Sequence, residues 1–149
     1  MTNEAVWIID HDLEDHEIVQ EVWGELGLSY ELVFLTSAEK AIERLKSVAK
    51  APFIIVCEVN LRGIGGFDFR RQLLDTHSKK FKSVPFIFWT THATDQQITE
   101  AFNLSAHGFF IKEGNLDDLK DTFLTIVRYW LKSKMPAKTE NVNALDDVK

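Results

Sequence analysis

The chain contains one cysteine, three prolines and two tyrosines in 149 residues. One cysteine excludes an internal disulfide framework and every metal motif built on several thiolates. Cys57 lies inside an apolar run, where a thiol serves as a small buried hydrophobe rather than a nucleophile. Basic excess is also missing: 17 Lys and Arg against 23 Asp and Glu leave a formal charge of −6, which argues against a broad nucleic-acid surface. Long hydrophobic runs are absent, and the polar stretch Met1 to Ala5 leads into an apolar run too short for a signal peptide or a membrane span. A cytoplasmic location without membrane contact is the expectation. There is no nucleophile elbow, phosphate-binding loop or dinucleotide fingerprint. Gly63-Ile64-Gly65-Gly66 has some of the glycines but follows a strand at the wrong spacing.

What is present is led by Phe53-Ile54-Ile55-Val56-Cys57-Glu58-Val59-Asn60, an apolar run that breaks into a carboxylate. A strand buried on both faces of a parallel sheet reads this way when its C-terminal end opens into a site. Val6 to Ile9 followed by Asp10-His11-Asp12 repeats the pattern, and Phe86 to Trp89 followed by Thr90-Thr91-His92 repeats it again. Tyr30 to Leu35 and Phe109-Phe110-Ile111, the latter ending in Lys112, complete five strands.

Helical spacing fills the intervals. Residues 14 to 26 carry Ile18, Val19, Val22, Trp23 and Leu26, with Gly27 as the stop. Ser37 caps a helix with Ala41, Ile42, Leu45 and Val48 on one face, and Pro52 separates it from the next strand. Phe67 to His77 turns Phe69, Leu73 and Leu74 inward. Thr94 or Asp95 caps a helix carrying Ile98, Ala101, Phe102 and Leu104. Asn115 with Asp118 begins a last helix whose face holds Leu116, Leu119, Phe123, Ile126, Val127 and Trp130. Five strand and helix alternations predict an α/β fold: a doubly wound, five-stranded parallel sheet of order 2-1-3-4-5. One domain over residues 5–132 is expected, followed by a polar, aperiodic tail over 133–149 expected to be disordered.

In that topology the strand ends bring Asp10, His11, Asp12, Glu58, Asn60, Thr90 and Lys112 to one shallow cleft. Crowded carboxylates raise one another's pKa unless a cation intervenes, and either Mg²⁺ or Lys112 can supply it. The Asp10-His11-Asp12 run also suits Zn²⁺, against the plainer reading that His11 is a partly exposed polar residue.

In this order and spacing the residues from about Val6 to Leu131 resemble the receiver domain of two-component response regulators, above all the stand-alone, chemotaxis-regulator-like receivers with a flavodoxin-like fold. Asp10, Thr90 and Lys112 match the family's first acid, switch hydroxyl and lysine. Gly66 matches the glycine before the third helix, and Phe109 the aromatic that couples to the hydroxyl. The resemblance implies Mg²⁺ as cofactor, with Asp10, Asp12 and Asn60 as candidate ligands, Asn60 standing where the family uses a backbone carbonyl.

The departures are Glu58 at the phosphoacceptor position, His11 for the second acid, Arg62 for a loop proline and Glu113 for the proline after the lysine. Phosphoryl transfer needs in-line placement, and a displacement on the order of 1 Å can cost ~10²-fold, so a glutamate is a poor acceptor. A Glu58–Lys112 ion pair with Thr90 as donor either holds a phosphorylated-like arrangement or locks an inactive one.

The expected function is an atypical single-domain receiver, or pseudo-receiver, that is not an enzyme and acts by protein binding. Its implied partners are a histidine kinase, another phosphorelay protein or a second copy in a homodimer. The family's interface face would carry Phe102, Arg128, Tyr129 and Trp130, residue types enriched at interfaces and equally at home in helix packing. Two alternatives remain: a conventional receiver using Glu58 or Asp12 as acceptor, and a metal- or small-molecule-binding module on the same fold.

Overall fold

The computed structural model describes residues 4–48, 50–76, 81 and 83–135. Strands β1 (Ala5–Ile9), β2 (Glu31–Leu35), β3 (Ile54–Cys57), β4 (Phe86–Thr90) and β5 (Gly108–Ile111) form one parallel sheet of order β2-β1-β3-β4-β5. Helices α1 (Leu13–Leu26), α2 (Ala38–Ser47), α3 (Gly66–Thr76), α4 (Asp95–Asn103) and α5 (Leu116–Lys132) cover its two faces.

The covering follows from strand alternation, because successive side chains point to opposite faces. Trp7, Ile9, Ile55, Cys57, Phe86 and Phe88 pack with Leu45 of α2, Phe69 and Leu73 of α3 and Ala101 of α4. Val6, Ile8, Ile54, Val56, Ile87 and Trp89 pack with Val19 and Val22 of α1 and Leu119, Phe123, Ile126 and Val127 of α5. Each such large side chain, fully buried, contributes roughly 1.5–3 kcal/mol. Helices on both faces explain why β1, β3 and β4 read as nearly continuous apolar runs.

The helix boundaries rest on local chemistry. Ser37 accepts from Lys40 N, and Asn115 from Asp118 N. Thr94, rather than Asp95, caps α4 in a reciprocal capping box with Gln97. Gly27 closes α1 at φ 63°, a left-handed position that suits glycine.

Two expectations need correction. β2 starts at Glu31, not Tyr30. On α3, Leu74 is only half-buried and Arg70 takes the inward place, 4% exposed. Trp23 packs against the core from the expected face of α1, and its indole Nε1 donates to the Tyr30 carbonyl at 3.1 Å. His77 and most of the expected tail, residues 136–149, lie outside the described residues.

Candidate functional site

Strand register builds the site. Ile9 pairs with Cys57, and Glu58 N donates to the Ile9 carbonyl at 2.9 Å, so Asp10 and Glu58 emerge side by side. On the other flank Thr90 pairs with Ile111, and Lys112 N donates to the Thr90 carbonyl at 2.7 Å. Gly66 permits the close approach of α3 to this end of the sheet: a Cβ there would lie 2.4 Å from the Glu58 carbonyl oxygen.

The Lys112 ammonium is the hub. Its Nζ lies 2.5 Å from Asp10 Oδ2, 2.7 Å from Asp15 Oδ2 and 2.9 Å from Glu58 Oε1. The second oxygen of Glu58 accepts a hydrogen bond from the Thr90 hydroxyl and another from Asn60 N at 3.0 Å. Asp10 Oδ1 accepts from Asp12 N at 3.0 Å. Asn60 Nδ2 reaches Thr90 Oγ1 at 3.5 Å. Asp10, Glu58, Thr90 and Lys112 are all buried, so these contacts form in a low-dielectric setting where charge-assisted bonds are strong.

Protonation states follow. Burial pushes Glu58 up, but the Asn60 amide, Thr90 and Lys112 together outweigh it and hold the carboxyl below its usual range. Burial dominates at Asp10, which is raised in spite of Lys112. Lys112 is raised: burial opposes its charge, and Asp10, Asp15 and Glu58 overcome that. Cys57 is fully buried with its thiol pushed well up by burial, which leaves an inert hydrophobe.

Of the seven residues expected to share a shallow cleft, four form this buried cluster and Asn60 stands exposed at its rim. His11 is exposed. Asp12 turns away: its Oδ1 accepts from Glu14 N at 3.0 Å and caps α1, because a carboxylate one residue ahead of a helix finds an orphan amide within reach. The third carboxylate at the ammonium is instead Asp15, which sequence reading missed. Its signal was helical spacing, since Asp15 lies four residues before Val19 and seven before Val22 on the inward side of α1.

On the neighbouring face, Phe109 is half-buried with its ring 6.0 Å from that of Phe88. Phe102 and Tyr129 are exposed at 52% and 63%, Arg128 is exposed, and Trp130 is half-buried. A cavity of about 250 Å³ lies beside them, lined by His107, Phe110, Thr125, Ile126, Tyr129 and Trp130.

Comparison with known proteins gives a consistent answer. A family profile described as "Response regulator receiver domain" matches residues 6–124. A curated protein named "Probable methanogenesis regulatory protein FilR2", from Methanothrix harundinacea (strain 6Ac), is 21% identical over 118 residues, covering 76% of this chain and 75% of its own. Among solved structures, the phosphorylated cyanobacterial phytochrome response regulator RcpA aligns with a TM-score of 0.81 at 19% identity, over 91% of this chain and 100% of that one. The Mn(2+)-bound form of response regulator Rcp1 aligns with a TM-score of 0.78 at 22% identity, over 90% and 99%.

Proposed function

The chain belongs to the response regulator receiver domain family, and from that premise we propose that it is an atypical receiver whose output does not depend on aspartyl phosphorylation and runs through protein binding. As a receiver it is a non-enzymatic module of two-component signalling, and the family implies a histidine kinase as partner. The observation that carries the finer reading is the seat of Glu58: one carboxylate accepts from the Thr90 hydroxyl and the Lys112 ammonium together. Those are the groups that, by family resemblance, meet the phosphoryl oxygens. The extra methylene of a glutamate carries a permanent negative charge to them, with Thr90 and Lys112 as the switch residues and Phe109, by resemblance, as the aromatic coupled to the hydroxyl. This favours an arrangement fixed in the phosphorylated-like form.

The same glutamate is a poor phosphoacceptor. Both of its oxygens are engaged by donors, and an attacking oxygen must be free and in line with phosphorus. Domain limits of 5–132, a cytoplasmic location, and partner contact through Phe102, Arg128, Tyr129 and Trp130, with a phosphorelay protein or a second copy, complete the proposal.

The test is intact-mass analysis after incubation with acetyl phosphate and Mg²⁺, with Glu58→Asp alongside. The wild type is expected to stay unmodified while the variant gains a phosphoryl group. A phosphorylated wild type would overturn the proposal.

A further inference from the structure

A divalent cation is the cofactor expected of a receiver, and the residues present do not fit one. Mg²⁺ demands oxygen ligands at about 2.0–2.1 Å in near-octahedral array. Of the candidate ligands, Asp12 directs Oδ1 to the α1 amide of Glu14, and Asn60, exposed at the rim, would bring a single neutral backbone oxygen. Asp10 spends Oδ1 on Asp12 N and Oδ2 on Lys112. Glu58 spends one oxygen on Lys112 and the other on Thr90 and Asn60 N. Among the described residues no group of three or more His, Cys, Asp or Glu is arranged to hold a metal ion.

We infer that Lys112 is the resident cation of this pocket, its ammonium occupying the one point shared by Asp10, Glu58 and Asp15, and that Asp15 is the positioning residue that keeps it there. The three contacts, at 2.5, 2.9 and 2.7 Å, surround Nζ with as many carboxylates as an ammonium has protons to donate. A metal ion drawn to the same oxygens would have to displace a like charge from a buried seat. Asp15 comes from α1, beyond the strand-end residues, and brings the third acceptor that His11 cannot supply. This seat is a property of the four wild-type side chains; Glu58→Asp, one methylene shorter, withdraws one of the three acceptors, so phosphorylation of that variant tests the acceptor and not the seat.

Amide NMR spectra of the ¹⁵N-labelled wild type, titrated with Mg²⁺ through the millimolar range, test it directly. The Asp10, Asp12 and Asn60 signals are expected to stay in place. Saturable shifts at those residues overturn the inference, and this arm decides even if a variant fails to fold. In Lys112→Met the vacated seat is expected to bind Mg²⁺ at least about tenfold more tightly than the wild type, with a Tm that climbs with Mg²⁺. A folded variant with no gain in affinity also overturns it. For Asp15 the readout is the Lys112 side-chain ¹⁵N ammonium signal: slow hydrogen exchange in the wild type, faster exchange in Asp15→Asn, and recovery in Asp15→Glu. An Asp15→Asn signal identical to the wild type removes Asp15 from the role.

Discussion

Lys112 and Arg70 are both cations that the fold has taken out of water, 9% and 4% exposed, and their surroundings are opposites. Lys112 faces three carboxylates, and its pKa rises. Arg70 faces none. Its Nε donates to the Leu104 carbonyl at 3.0 Å, its Nη2 to the Ser105 carbonyl at 2.9 Å, and its guanidinium lies 4.8 Å from the centre of the Phe86 ring. Burial with only dipoles and a π-face for company lowers it to about 10. The carbonyls it caps are orphans at the end of α4, where a positive charge also complements the helix dipole. Buried charge alone therefore does not mark a site. Arg70 is a clip that fastens α3 to the turn before β5. Around Lys112, three negative charges against one positive leave the cluster two charges in deficit, open to response when a proton or a side chain changes.

The difference has a size. Lys112→Met strands several carboxylates without their counter-charge, and removing one partner of a buried ionic network costs about 3–5 kcal/mol. Arg70→Met leaves only neutral carbonyls unpaired, and losing hydrogen bonds from a charged donor costs roughly 1.5–3 kcal/mol. Urea unfolding of the two variants at neutral pH is expected to rank them in that order. Equal losses, or a larger loss at Arg70, would mean that the carboxylates find solvent or protons as easily as the carbonyls do, and the contrast would fail.

The same pair shows what sequence could reveal. Asp10, Glu58, Thr90 and Lys112 were legible because each ends an apolar strand, and parallel topology leaves such ends no choice but to meet. The caps at Ser37, Thr94 and Asn115 were legible because a side-chain oxygen ahead of a helix has orphan amides within one turn. Asp15 and Arg70 were not read, since a charge on a helix is ordinarily solvated. Yet Arg70 shares the 66, 69, 70, 73 stripe of α3 with Gly66, Phe69 and Leu73, and spacing alone placed it inside. Asp12 failed in the other direction: adjacency in sequence suggested the site, and the nearer hydrogen bond to Glu14 N won.

The smallest of the expected effects separates the two cations most cleanly. Glu58→Gln keeps the shape and an acceptor for Thr90 and Asn60 N but removes the charge facing Lys112, for a loss of about 1.5 kcal/mol at neutral pH, the low end for a charged hydrogen bond because two carboxylates remain at the ammonium. The folded-state pKa of Glu58 is lowered from 4.5, so its contribution is fully present above that value and disappears as pH falls through the folded pKa. The gap between wild type and Glu58→Gln should therefore close on acidification. Burial lowers Arg70 only to about 10, still far above the acid range, so the gap between wild type and Arg70→Met has no reason to move there. Urea unfolding of all three proteins in steps from neutral to acid pH gives both curves at once. A Glu58→Gln gap that stays constant or widens toward acid would show that the carboxylate's charge does not stabilise the cluster, leaving Lys112 to Asp10 and Asp15.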